Sequence, residues 1–228
     1  MTQTQINPTD TELLATAARL SDAFSDRAVE FDQARRLSQD ASDAMAQAGF
    51  YRLFVPEHLG GLEASPVISA KIFERLAQGN AACGWVAFIA ATSGSTLGSI
   101  PQDTARTIFS HPNTMVAGVF APSGKATVKA GEVTVEGRWQ WGSGTQNADW
   151  ILGGCLVDVG ADKPSQHMIL MPAEQVEFLD TWHVSGLQGT GSTDYEVKNL
   201  TLPDSHIVGY DGNRPPRTSL YQFPQFTL

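Results

Sequence analysis

The stretch GRWQWGSGTQNADW, residues 137–150, sets two indoles two residues apart and runs directly into Gly-Ser-Gly. On an extended strand residues i and i+2 point the same way, so Trp139 and Trp141 are expected to form one broad apolar wall. Gly142, Ser143 and Gly144 come next, with backbone N–H groups and one hydroxyl at close approach. A second such loop is Gly189-Thr190-Gly191-Ser192, and a third is Ala121-Pro122-Ser123-Gly124 after the apolar strand of residues 115–120. Three small hydroxyl-bearing loops at strand ends could line the edge of a planar ligand with apolar faces and a polar rim. A flavin ring has that character, with its polar edge at N1, N3, O4 and N5. The competing reading of the two tryptophans is an ordinary core or interface wall.

Other chemistries find less support. GSGTQN (142–147) and GTGSTD (189–194) begin like dinucleotide fingerprints but lack the third glycine, and strands rather than helices come after them. Gly142-Ser143-Gly144 is no nucleophile elbow, because Trp141 stands where the first glycine must be. His58, His111, His167, His183 and His206 show no metal-ligand spacing, so no metal is expected. Cys83 and Cys155 lie far apart in apolar stretches without a CxxC pair, which reads as buried reduced thiols in a cytoplasmic protein.

The chain has 228 residues and a formal charge of −9, with 42% hydrophobic and 17% charged residues. A real core is expected, and without a basic run nucleic acid and anionic membranes are poor partners. No basic residue precedes Arg19, so the start does not read as a signal peptide. No charge falls between Arg75 and Asp103, yet Gly79, Gly84, Gly94 and Gly98 interrupt that stretch; a buried helix fits it better than a membrane span.

The first half has helical periodicity. Thr9 and Glu12 have capping-box spacing, and Leu13, Ala17, Leu20 and Phe24 make one apolar stripe. A second helix carries Leu37, Ala41, Ala44, Met45 and Ala48 and stops at Gly49, before an extended FYRLFVP segment. Ser65-Pro66 opens a third helix with the stripe Ile68, Ile72, Phe73 and Leu76. A fourth is expected over residues 81–92 and a short fifth after Pro101, ending near Pro112. The second half alternates with period two: Val133, Val135, Trp139 and Trp141 against Glu132, Thr134, Glu136, Arg138 and Gln140. A hairpin is expected to turn at Ala130-Gly131, with more strands at 114–121, 149–158, 167–172, 176–182 and 194–202. The fold class is therefore α+β: an all-helical domain over 1–112, an antiparallel β-barrel or sandwich over 113–210, and a linker over 211–228.

In order and spacing, GFYRLFVPEHLGG, ERLAQGNAACGWV, GVFAPSGKA, GRWQWGSGTQNADWILGG and GLQGTGSTDYEVKNLTLP resemble the acyl-CoA dehydrogenase superfamily. In particular they look like its branch of two-component, reduced-flavin-dependent monooxygenases. The resemblance runs from Leu13 to Phe226, and LYQFPQF looks like the lead-in to that family's C-terminal helical bundle, which this chain is expected to lack.

The resemblance implies an oxygenase component using reduced FMN or FAD from a separate flavin reductase, and O2, to hydroxylate a small aromatic substrate through a flavin C4a-hydroperoxide. It implies a homo-oligomer, a tetramer, at full length. Trp139 falls on the family tryptophan beside the flavin. Trp141 stands where dehydrogenases carry a threonine, which favours the monooxygenase branch. Ser143 lies in the turn facing the flavin N5–C4a edge and is the expected catalytic residue; many relatives have two serines where this chain has Gly142 and Ser143. Phe120 and Pro122 match the pyrimidine side, and Gly189, Thr190, Gly191 and Ser192 a loop near the flavin and substrate mouth. Gln188 stands where relatives often have arginine. Trp85 matches the helical wall of the substrate pocket. Two alternatives stay open: an acyl-CoA dehydrogenase holding FAD and oxidising an acyl thioester, and a non-catalytic two-domain fragment acting as a binding or assembly module.

Overall fold

Thr9 starts the first helix as its pattern demands. In the computed structural model, which describes residues 8–222, its hydroxyl accepts from the Glu12 N–H while the Glu12 carboxylate accepts from the Thr9 N–H. Helix α1 (Asp10–Ser25) buries Leu13, Ala17, Leu20 and Phe24. Helices α2 (Ala28–Ala34) and α3 (Gln39–Gln47) come next, the latter stopped where Gly49 turns left-handed. Ser65 caps α4 (Pro66–Gly79) through the Val67 N–H, and Asn80 caps α5 (Ala81–Gly94) through those of Ala82 and Cys83. The short α6 (Gln102–Ile108) closes the helical part. Residues 1–7 of the expected helical domain and 223–228 of the expected linker lie outside the described residues.

Two local expectations change. Helix α2 has no side-chain cap and buries only Phe31, so it leaves too short a stripe to be read from spacing. The FYRLFVP segment is not extended. Its first residues form a 3₁₀ turn at Phe50–Arg52, which brings the chain round so that the N–H groups of Leu62 and Ala64 reach the carbonyls of Arg52 and Leu53. The charge-free segment Ala81–Ser99 is long and apolar enough to cross a membrane, but it is 61% buried within the protein. It is the central element of the helical core, with Cys83, Val86, Ala87, Ala90 and Ala91 fully covered.

The second part is one sheet of six strands: β1 (Val116–Lys129), β2 (Glu132–Gly142), β3 (Trp150–Asp158), β4 (Ser165–Pro172), β5 (Glu177–Leu179) and β6 (Thr193–Pro203), in the order β4-β3-β1-β2-β6-β5. The hairpin turns at Ala130-Gly131 with φ of 55° and 83°, as a two-residue primed turn requires. The α+β order stands, but the sheet is mixed and does not close into a barrel. β1 and β3 run parallel, from Val116 beside Trp150 to Thr127 beside Asp158. The hydrophobic period registers which face a strand buries and carries no information on which neighbour it takes or in which direction.

The β core forms around Trp139. Its indole stacks on Tyr195 at 5.2 Å between ring centroids, and its N–H donates to the Gly154 carbonyl at 2.8 Å. Gly124 and Gly153 admit it: a Cβ on either would lie 2.4 or 2.8 Å from the indole Cζ2. The Tyr195 hydroxyl accepts from the Val119 N–H and donates to the Leu152 carbonyl, so the cluster ties β6 to β1 and β3.

Burial fixes an alkaline limit to stability. It pushes the Cys83 and Cys155 thiols up to about 12 and the Tyr51 and Tyr195 phenols well above their ordinary range. These acids stay neutral in the fold and ionise in the unfolded chain from about pH 8.5 for thiols and 10 for phenols. Above those values the folded state holds more protons, and stability falls as pH rises. The urea midpoint is expected to be level from pH 7 to 8 and to drop steadily from about pH 9 to 11. A midpoint that holds to pH 11 would contradict this burial.

Candidate flavin-facing site at the helix–sheet junction

The end of β2 departs from the sequence expectation. From Trp139 to Gly142 the chain advances three residues while β6 advances two, from Tyr195 to Thr193, so one residue bulges. That residue is Trp141, with φ of 62°. A bulge reverses the facing of the strand beyond it, so the two indoles do not share a wall. Trp139 is 0% exposed and Trp141 is 70% exposed. The expectation that Trp139 packs beside a ligand is therefore corrected: its faces are taken by Tyr195 and by the glycine backbone of β1 and β3. Buried Asp194 supports the bulge, accepting from the Trp141 N–H at 3.4 Å while its other oxygen pairs with Arg138 at 2.7 Å. No sequence signal marked Asp194 or Arg138, which lie 56 residues apart.

The two glycine-rich loops meet. The Gly144 N–H donates to the Thr190 carbonyl at 2.8 Å. Gly144, at φ of 73°, approaches Met115 and α5 so closely that a Cβ would sit 2.8 Å from Met115 Cε and 3.3 Å from Val86 Cγ1. Gly189 and Gly191 pack on the helical part as well; a Cβ on Gly189 would be 3.0 Å from that of Phe31, and one on Gly191 3.2 Å from that of Arg36. Gly191, expected at a ligand, is thus buried in packing between the two parts of the chain.

This docking assembles side chains from three distant segments. The Trp85 indole N–H, on α5, donates to Ser143 Oγ at 2.9 Å. Ser143 Oγ lies 2.7 Å from Ser192 Oγ, which lies 2.6 Å from Thr190 Oγ1. Thr190 Oγ1 donates to the Leu187 carbonyl at 2.9 Å. The three hydroxyl residues are buried, whereas Trp85, Trp141 and Leu187 are 44%, 70% and 48% exposed. Of the residues expected from sequence, the structure thus joins Ser143, Thr190, Ser192 and Trp85 in one hydrogen-bonded group, with Trp141 two residues from Ser143 on the exposed side. Gln188 turns back on its own loop, donating to the Val184 carbonyl. Phe120 and Pro122 lie on a bulge inside β1 rather than at a strand end, Phe120 half-buried against the Val116 and Leu152 cluster and Pro122 exposed. A separate cavity of about 430 Å³, lined by Ser99, His167, Met168, Val208 and Arg214, shares no residue with this group.

A flat ligand with a polar edge needs exposed apolar faces beside groups that can still make a hydrogen bond. Large apolar side chains exposed together are unusual on a folded surface. Here the exposed Trp85 indole donates to the buried hydroxyl group, and exposed Trp141 and Leu187 adjoin that group along the chain, so the residues present fit an isoalloxazine.

A helical layer followed by a mixed sheet is the arrangement shared with acyl-CoA dehydrogenase-like monooxygenases. Residues 7–101 match the family described as acyl-CoA dehydrogenase, N-terminal domain. The relatives are flavin-dependent monooxygenases. The chain is 34% identical over 212 residues to indole-3-acetate monooxygenase of Pseudomonas putida, covering 92% of this chain and 54% of that protein. It is 31% identical over 188 residues to the flavin-dependent monooxygenase oxygenase subunit HsaA of Rhodococcus jostii, covering 81% and 49%. The crystal structure of the HsaA monooxygenase from M. tuberculosis superposes with a TM-score of 0.82 at 29% identity, covering 88% of this chain and 56% of that one. XiaF from Streptomyces sp., solved with FADH2 and glycerol, has the same fold, with a TM-score of 0.81 at 24% identity over 90% of this chain and 52% of that one. The chain spans about half the length of the curated relatives it matches.

Proposed function

We propose that this chain is the flavin-facing part of the oxygenase component of a monooxygenase that hydroxylates an aromatic small molecule. The observation that carries the proposal is the exposed Trp85 indole hydrogen-bonded to the buried hydroxyl group of Ser143, Ser192 and Thr190, with exposed Trp141 two residues before Ser143. The relatives' names support an aromatic substrate: indole-3-acetate monooxygenase and, from Rhizobium sp., an FADH2-dependent resorcinol hydroxylase oxygenase component. Reduced flavin, when bound, supplies the electrons that activate O2 for transfer of one oxygen atom to the ring. FMN and FAD carry the same isoalloxazine, so the residues named here serve either. A separate reductase as the source of reduced flavin, a homo-oligomer at full length and a cytoplasmic location complete the proposal.

Each side chain has a stated task. Trp141 and Trp85 offer apolar surface that excludes water from the ring. Ser143 offers its hydroxyl to the polar edge, held in place by Trp85 on one side and Ser192 on the other. Asp194 and Arg138 hold the bulge that turns Trp141 outward. Anaerobic titration with reduced FMN and reduced FAD, monitored by tryptophan fluorescence, is expected to give saturable quenching. Trp141→Ala should weaken binding about ten-fold, the equivalent of one aromatic contact. Folded chain that shows no saturable response to either reduced flavin would sink the proposal.

A further inference from the structure

We infer that the hydroxyl chain behind Ser143 fixes that residue as a hydrogen-bond acceptor, so that Thr190 and Ser192 act as positioning residues selecting reduced over oxidised flavin. The inference rests on the flavin reading above and adds to it the residues that set redox-state preference.

Each hydroxyl has one hydrogen to give and two lone pairs to receive with. At one end of the chain stands the Leu187 carbonyl, which can only accept, and at the other the Trp85 indole N–H, which can only donate. One arrangement of hydrogens uses every donor. Thr190 gives to Leu187, Ser192 gives to Thr190, Ser143 gives to Ser192, and Trp85 gives to Ser143. The reverse arrangement breaks the Thr190–Leu187 bond and leaves the Ser143 hydrogen without an acceptor in the chain. The forward arrangement is therefore favoured by one buried hydrogen bond, about five-fold in population. In it Ser143 has donated its hydrogen and received one bond, and its remaining capacity is a single lone pair. Ser143 retains 8% exposure, with the half-exposed Trp85 indole hydrogen-bonded to it.

That lone pair discriminates between flavin states by elementary valence. N5 of reduced flavin carries a hydrogen and can donate to Ser143. N5 of oxidised flavin is a lone pair; to meet it Ser143 must donate, which gives up one hydrogen bond of the chain, at Ser192 or, with the hydrogens turned round, at a bond further along. Removing the Thr190 hydroxyl leaves Ser192 free to donate to Ser143, which then turns its own hydrogen outward.

The test compares Kd values of oxidised and reduced FMN for the wild-type chain and for Thr190→Val, Ser192→Ala and Thr190→Ser, by anaerobic fluorescence titration. The ratio of oxidised to reduced Kd should fall about five-fold in Thr190→Val and in Ser192→Ala. Thr190→Ser, which restores the hydroxyl, should keep the wild-type ratio. A general loss of packing would move both Kd values and leave the ratio alone. An unchanged ratio in folded Thr190→Val and Ser192→Ala overturns the inference while leaving the flavin reading intact. Absence of binding by either form to wild type overturns the flavin reading and this inference with it. A ligand-side probe needs no variant: oxidised 5-deaza-FMN replaces the N5 lone pair by C–H. It should bind wild type at least as tightly as oxidised FMN, and binding several-fold weaker would show that Ser143 donates, against the inference.

Discussion

Trp139→Ala is expected to cost about 3–5 kcal/mol of folding stability, as large-to-small changes of buried aromatic residues do. Three physical terms act together. The fully buried indole leaves a cavity walled by Tyr195 and by glycine backbone. Gly124 and Gly153 have no side chains to collapse into it, so relaxation is poor. The Gly154 carbonyl loses its donor. For a chain of this size a loss of that order lowers Tm by roughly 10 °C. Trp141→Ala, two residues on, should stay within about 0.5 kcal/mol of wild type, since the side chain is mostly in solvent. Thermal and urea unfolding of the two variants side by side measure the contrast. Equal costs for the two would mean that the bulge at Trp141 does not exist and that both indoles lie on one face.

Gly154→Ala is expected to be at least as severe, above about 3 kcal/mol, by overpacking of rigid groups. A Cβ there would lie 2.2 Å from the Phe120 carbonyl oxygen and 2.5 Å from that of Ala121. Both obstacles are backbone, so no rotamer change relieves the clash; β1 or β3 must move. The same displacement would disturb the β1 bulge that carries Phe120 and Pro122, and the carbonyl that anchors Trp139. Gly186→Ala is the control, because nothing lies within 4 Å of the added carbon and its backbone is not left-handed. It should be neutral within about 0.5 kcal/mol. Soluble, wild-type-stable Gly154→Ala protein would show that the two strands pack less closely than described.

The helices were legible because their signals are local. The Thr9–Glu12 capping box, Ser65-Pro66 and the stripes through Leu13 to Phe24 and Ile72 to Leu76 act over one or two turns. The hairpin at Ala130-Gly131 was legible for the same reason. Helix α2 was missed because seven residues without a side-chain cap carry almost no periodic signal and rely on Phe31 docking into the core. The parallel pairing of β1 with β3 was missed because alternation specifies a face and leaves the partner open.

The site divides along the same line. Residue types and spacing determined which groups were available: indoles at 85, 139 and 141, hydroxyls at 143, 190 and 192, and glycines that let backbone come close. They also determined an α+β order and the family that order resembles. Only the tertiary structure decided which indole faces outward. A single inserted residue between Trp139 and Gly142 reverses the strand's facing, and its position depends on register against β6 and on Asp194, 53 residues beyond Trp141. Only the tertiary structure joined Trp85, Ser143, Ser192 and Thr190, because a hydrogen bond depends on distances of about 3 Å that sequence separation does not encode.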